Sequence, residues 1–121
     1  MKYLCLIFSG DKAWSALSQS EVDAWTAEQV VYRQTLRESG HLVSGEALQH
    51  AHSATTVRVR NGQLFVTDGP YAETNEQLGG FLVIEARDLN DAIRVASKMP
   101  LARFGNVEVR PIRECAPGGS G

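Results

Sequence analysis

From Lys2 to Phe8 almost every side chain is apolar, with Tyr3, Cys5 and Ile7 on one side of an extended chain and Leu4, Leu6 and Phe8 on the other. A strand apolar on both faces is predicted to lie centrally in a sheet covered twice. The pattern then changes period. Ser18 followed by Glu21 is a capping-box signature, and Val22, Trp25, Tyr32 and Leu36 recur at helical spacing, so a helix is predicted from there to about Ser39, stopped by Gly40. Ala24, Ala27 and Val31 make a second, narrower stripe on its far side.

His41 to Leu48 reads as a weaker strand broken by Gly45. Thr55–Arg60 and Gln63–Thr67 flank Asn61-Gly62, a dipeptide that tolerates positive φ and suits a type I′ hairpin turn. That turn sets Val59 opposite Leu64, Val57 opposite Val66 and, on the other side, Arg58 opposite Phe65. Gly79-Gly80 reads as a bend entering a strand that runs from Gly80 to Ala86, again apolar on both faces. Asp88 is placed to cap a second helix with Leu89, Ala92, Ile93 and Ala96 as its stripe, ending before Pro100. A strand from Asn106 to Ile112, with Val107 and Val109 inward, closes a domain of residues 1–113, and residues 114–121 are expected to form a disordered tail.

This order is a split βαβ pattern of ferredoxin-like α+β type with an inserted hairpin. Two helices cover one face of such a sheet. Because the central strands are apolar on both faces, the second face needs another cover, and a second copy of the chain, making a dimeric α/β barrel, is the simplest.

Composition narrows the function classes. The 121 residues suit one domain, and 43% apolar with 21% charged residues is a globular balance. The formal net charge of -2 is spread without a basic stripe, which argues against direct nucleic-acid binding. Tyr3–Phe8 is too short for a membrane span and lacks the features of a secretory signal, so a cytoplasmic location is expected. Cys5 sits in the apolar strand and Cys115 in the Pro/Gly/Ser-rich tail, giving neither a disulfide framework nor metal-ligand spacing.

Val66-Thr67-Asp68-Gly69-Pro70-Tyr71-Ala72-Glu73-Thr74-Asn75-Glu76-Gln77-Leu78-Gly79-Gly80-Phe81 carries the most suggestive chemistry. It resembles the DGPF motif of YCII-related proteins, with Tyr71 where Phe is usual, and the likeness extends through Met1-Lys2-Tyr3, Ala54–Arg58, Glu85–Leu89 and Val107–Pro111. The resemblance implies a ferredoxin-like fold, a homodimer and a cleft beside the motif. Some members of the family are associated with sigma factors, which implies an accessory or sensing role as an alternative. Better-known relatives carry a His-Asp pair with the His on the first helix; Gln29 takes that place here.

Read physically, Asp68-Gly69-Pro70-Tyr71 ends a strand and turns the chain, with Gly69 pushed toward extended geometry by the following proline. In one reading Asp68 braces this turn and Glu73 is solvated. In the other, Asp68 and Glu73 are catalytic acid/base or ligand-binding carboxylates, and Gly69, Pro70, Tyr71 and Gly80 line a small-molecule site. His41 follows the helix stop, where a cation is mildly favoured. His50 and His52 lack a third ligand nearby in sequence, so no metal site is assigned, and no motif names a cofactor.

Overall fold

The structure is a computed structural model that describes residues 1–114. The predicted tail from residue 115 onward, with Cys115, lies outside the described residues. Six strands, β1 (Lys2–Ser9), β2 (Leu42–Ala47), β3 (Thr55–Arg60), β4 (Gln63–Asp68), β5 (Gln77–Glu85) and β6 (Asn106–Pro111), alternate with helices α1 (Asp11–Ser15), α2 (Gln19–Glu38) and α3 (Leu89–Ser97). Single 3-10 turns form at Ala51–Ser53 and Pro100–Arg103.

Four strands pair antiparallel in the order β2-β5-β1-β6, and β3 and β4 form a separate two-stranded sheet. β1 and β5 are therefore central, as their two-sided apolar pattern requires, and the order is ferredoxin-like. In the hairpin, Asn61 (φ 52) and Gly62 (φ 75) both take positive φ, and Val57↔Val66, Arg58↔Phe65 and Val59↔Leu64 are the pairs that a type I′ turn dictates.

α2 and α3 cover one face of the four-stranded sheet. Tyr3, Cys5, Leu82 and Ile84 point toward them and bury with Leu36, Ala92, Val95 and Ala96. The α2 capping box is formed, with Glu21 N–H donating to Ser18 Oγ and Ser18 N–H to Glu21. Tyr32 crosses to α3 and donates its hydroxyl proton to the Val95 carbonyl. Burial pushes the Tyr32 phenol up, with neighbouring Cys5 adding to it, and burial pushes the Cys5 thiol up to about 11. Both stay neutral in the core.

The other face carries Leu4, Leu6, Phe81 and Val83, since Leu4↔Val83 and Leu6↔Phe81 are paired positions. These side chains are only partly buried. Glu46, paired with Phe81, points the same way, as do Glu108, paired with Leu6, and Arg110, paired with Leu4.

Four local expectations are corrected, and one element is added. α1 was not foreseen: its five residues are too few to show a period. Gly45 does not break β2; it pairs with Leu82, and the irregularity falls between Leu42 and Ser44. Gly79 and Gly80 lie inside β5, where the register slips so that Ile7 pairs with Gly80 and Phe8 with Leu78, leaving Gly79 as the extra residue of a bulge. Gly69 takes φ +102 instead of extended geometry, a region open to it because it lacks a Cβ. In α3, Leu89 and Ile93 stay 49% exposed each, because the helix turns Asp91, Ala92, Val95 and Ala96 inward.

Candidate functional site

Beneath the middle of α2 the sheet lacks bulk. At the β2–β5 edge the helix-facing positions are Gly45, Ala47 and Gly80, with Gly45 opposite Leu82 and both Ala47 and Ile7 opposite Gly80. The strands come close there: a Cβ on Gly80 would stand 2.9 Å from the Glu46 carbonyl oxygen, and one on Gly45 would stand 2.8 Å from that of Phe81. Helix and sheet thus leave between them a half-open cavity of about 380 Å³, within the usual range of ligand pockets. Ile7, Leu82, Leu101 and Trp14 supply much of its apolar wall.

The roof is more polar. Trp25, Gln29 and Arg33 recur every four residues on the inner face of α2 and line the cavity. Trp25 Nε1, Gln29 Oε1 and Arg33 Nε are all buried there without a hydrogen-bond partner among the described residues. The Arg33 guanidinium is steadied at its other end, donating from an Nη to the Gly45 carbonyl at 3.0 Å. A buried polar group left unpaired costs free energy, so three on one wall call for an occupant that pairs with them.

One end of the cavity is built from aromatic rings. Trp14 meets Trp25 edge to face at 4.9 Å and Phe104 at 5.3 Å, and its indole N–H donates to Ser9 Oγ at 2.9 Å. Arg103 clamps Glu28 through two bonds of 2.7 and 2.6 Å, tying α2 to the turn that carries Leu101 and holding the Glu28 carboxyl below its usual range.

At the mouth, Asp11 opens α1 and His50 precedes the Ala51–Ser53 turn. His50 Nε2 lies 2.9 Å from Asp11 Oδ1, and His50 Nδ1 accepts the His52 backbone N–H at 3.1 Å. Both ring nitrogens of His50 are engaged. The His52 ring packs 4.3 Å from that of His50. Among the described residues no three His, Cys, Asp or Glu side chains gather as a metal site.

A second pocket of about 160 Å³ adjoins the mouth and shares Ser9, Asp11, His50, Ala51 and Gln77 with the cavity. Pro70 and Glu73 line it beside His52, and Gly80 lines the main cavity. The loop bearing Glu73 is held by Gln77, whose amide donates to the carbonyls of Ala72 at 3.0 Å and Thr74 at 3.2 Å. Asp68 ends β4 opposite Thr55 with its carboxylate exposed and without a hydrogen bond among the described residues. The turn is braced by backbone and Thr56 instead: Gly69 N–H donates to Ala54 O at 2.7 Å and Thr56 Oγ1 to Gly69 O at 2.9 Å. Tyr71 is 87% exposed. Of the sequence-derived candidates, Gly80, Pro70 and Glu73 therefore stand at the two pockets, while Asp68, Gly69 and Tyr71 line neither.

Asp11, Trp14 and Arg33 escaped the sequence reading. A signal was present in the last case: Gln29 and Arg33 fall on the same helical face as Trp25 and Leu36, and a polar pair interrupting an apolar stripe marks a place where the core is not filled.

Comparison with known proteins agrees with this fold. The YCII-related domain matches residues 1–116. An uncharacterised protein of Rhizobium meliloti (strain 1021) is 32% identical over 120 residues, covering 98% of this chain and 97% of that protein. Among solved structures, the 5-chloro-2-hydroxyhydroquinone dehydrochlorinase of Burkholderia phenoliruptrix AC1100, in complex with 2,5-dihydroxybenzoquinone, superimposes with a TM-score of 0.56 over 99% of this chain and 100% of that one, at 14% identity. At that identity the likeness carries the fold.

Proposed function

The chain belongs to the family of YCII-related domains, and from that premise we propose that it binds a small, compact molecule in the cavity between α2 and the β2–β5 edge. The observation that supports this is the set of buried, unpaired Trp25 Nε1, Gln29 Oε1 and Arg33 Nε around that space. The solved neighbour is an enzyme holding a small ring compound. The DGPY segment enters this reading as the outer lip, through Pro70 and Glu73.

The test is native mass spectrometry of purified protein mixed with cell-extract metabolites, run beside Ala47→Leu. That substitution places a larger side chain in the cavity from a backbone already paired. A metabolite retained by wild type and lost by Ala47→Leu supports the proposal. Equal retention by both proteins sinks it.

Acid/base catalysis is a second reading, favoured by the meeting of Glu73, Asp11, His50 and His52 at the smaller pocket. With His50 engaged at both nitrogens, His52 and Glu73 are its working groups. The check is turnover of the retained metabolite by wild type, Glu73→Gln and His52→Gln. Unchanged turnover in both variants removes this reading, and lost turnover with retained binding supports it.

The assembly is a homodimer through the Leu4, Leu6, Phe81 and Val83 face. An apolar sheet face of this kind needs cover, and exposed Val57, Val59, Leu64 and Val66 on the hairpin add to the same need. A second copy is preferred over a transcription regulator such as a sigma factor because it accounts for the cover with this chain alone. Sedimentation velocity of wild type and Leu6→Glu decides: a dimer converted to monomer supports the assignment, and a monomeric wild type at micromolar concentration ends it.

A further inference from the structure

We infer that the cavity's ligand is a small organic anion, a carboxylate on a compact apolar body, whose charge pairs with Arg33. The inference rests on the cavity reading above and adds the chemical class of the ligand.

Charge is the first argument. Arg33 is the cation facing the cavity from α2, and no carboxylate lies within ion-pair distance of it among the described residues. The acids near the cavity are committed elsewhere. Glu46 lines the cavity from β2, but register turns its side chain to the opposite sheet face with that of Phe81, and Asp11, which also lines it, pairs with His50 at the mouth. Glu28, one residue before Gln29, points outward to Arg103. A guanidinium whose Nε is desolvated beside apolar walls, with a single backbone carbonyl as partner, is an unbalanced charge, and an incoming anion balances it.

Donor geometry is the second argument. Arg33 Nε–H and Trp25 Nε1–H are pure donors, and the Gln29 amide between them offers NH2 or oxygen according to its rotation. A carboxylate accepts from Arg33 Nε–H, and from Gln29 once its amide is turned so that NH2 replaces the unpaired Oε1. A hydroxyl or carbonyl at the ligand's far end accepts from Trp25, roughly 12 Å along the helix axis by residue rise. The walls between these points are Ile7, Leu82 and Leu101, which suit a hydrocarbon body.

Trp14 and Trp25, the two tryptophans of the chain, both line the cavity, so indole fluorescence reports occupancy directly. The probes are cyclohexanecarboxylate and trans-4-hydroxycyclohexanecarboxylate, each beside its primary carboxamide; all are transparent where indole is excited. Wild type is expected to bind each acid at least about tenfold more tightly than its amide, a difference of about 1.4 kcal/mol. Arg33→Met is expected to erase that preference while still binding the amides, which shows that its cavity is folded. Arg33→Lys keeps part of the preference, having the charge without the fork. Equal binding of acid and amide by wild type overturns the anion assignment and leaves the cavity reading standing. No fluorescence response to any probe up to about 10 mM, weaker than any useful site, overturns the cavity reading as well.

Discussion

His50 and Asp11 are joined by a bond whose direction is fixed from the far side of the imidazole. The His52 backbone N–H can only donate, so His50 Nδ1 must accept, and the proton of a neutral ring sits on Nε2, donating to Asp11 at 2.9 Å. Two-bond proton–nitrogen spectra recorded with His50 neutral are expected to show the Nε2–H tautomer. An Nδ1–H pattern would mean that the mouth is built differently. Asp11→Ala should change stability by less than about 1 kcal/mol, because both partners are well exposed.

Asp91 sets the acid limit of the fold. It is buried at the start of α3, where it accepts the Arg87 backbone N–H at 3.0 Å and lies 3.3 Å from His41 Nε2 and 3.2 Å from Arg94 Nη1. The Arg87 N–H, then the His41 hydrogen bond, hold its carboxyl below the usual range against the opposing effect of burial. A depressed folded pKa contributes stability that is present above the unfolded value and lost as pH falls through the folded one. Urea midpoints should therefore drop as pH goes below about 4, and Asp91→Asn should be less stable at neutral pH with a flatter acid dependence. Parallel acid dependences of the two proteins would remove Asp91 from this role.

Gly80 is a test of close packing. Its missing Cβ lets β5 approach β2, where an added carbon would stand 2.9 Å from the Glu46 carbonyl and 3.4 Å from Ala47 Cα, both backbone. Gly80→Ala is expected to destabilise by about 1–3 kcal/mol, read by urea unfolding at fixed protein concentration. An unchanged midpoint would show that the two strands part easily at the cavity edge.

Asp68 is a test of the opposite kind. Its carboxylate is exposed and unbonded, and the turn is held by the Gly69 and Thr56 bonds instead. Asp68→Asn should leave stability within about 0.5 kcal/mol of wild type. A loss of about 1–3 kcal/mol would show that the charge braces the turn.

The strands that form the sheet were readable because burial on two sides leaves an unmistakable mark: β1 and β5 alternate apolar with apolar. The hairpin was readable down to register, since Asn61-Gly62 admits few turns. The cavity was not readable in the same way. It arises where small residues distant in sequence, Gly45, Ala47 and Gly80, fall opposite one another under α2, and that coincidence exists only once β2 pairs with β5. The DGPY segment drew attention by its local chemistry. The groups beneath α2 leave a weaker trace, the polar Gln29 and Arg33 on an otherwise apolar helical stripe, and Asp11 and His50 meet across 39 positions of chain.

The hairpin shares no ladder with the four-stranded sheet; β2 and β5 pair directly and close that sheet without it. Evolution can therefore lengthen, shorten or rewrite β3 and β4 while the sheet, its helices and the ground beneath α2 keep their topology. Such a hairpin is a mechanically separate arm: a change in its length or contacts reaches the four-stranded sheet through the connecting loops and not through a shared ladder.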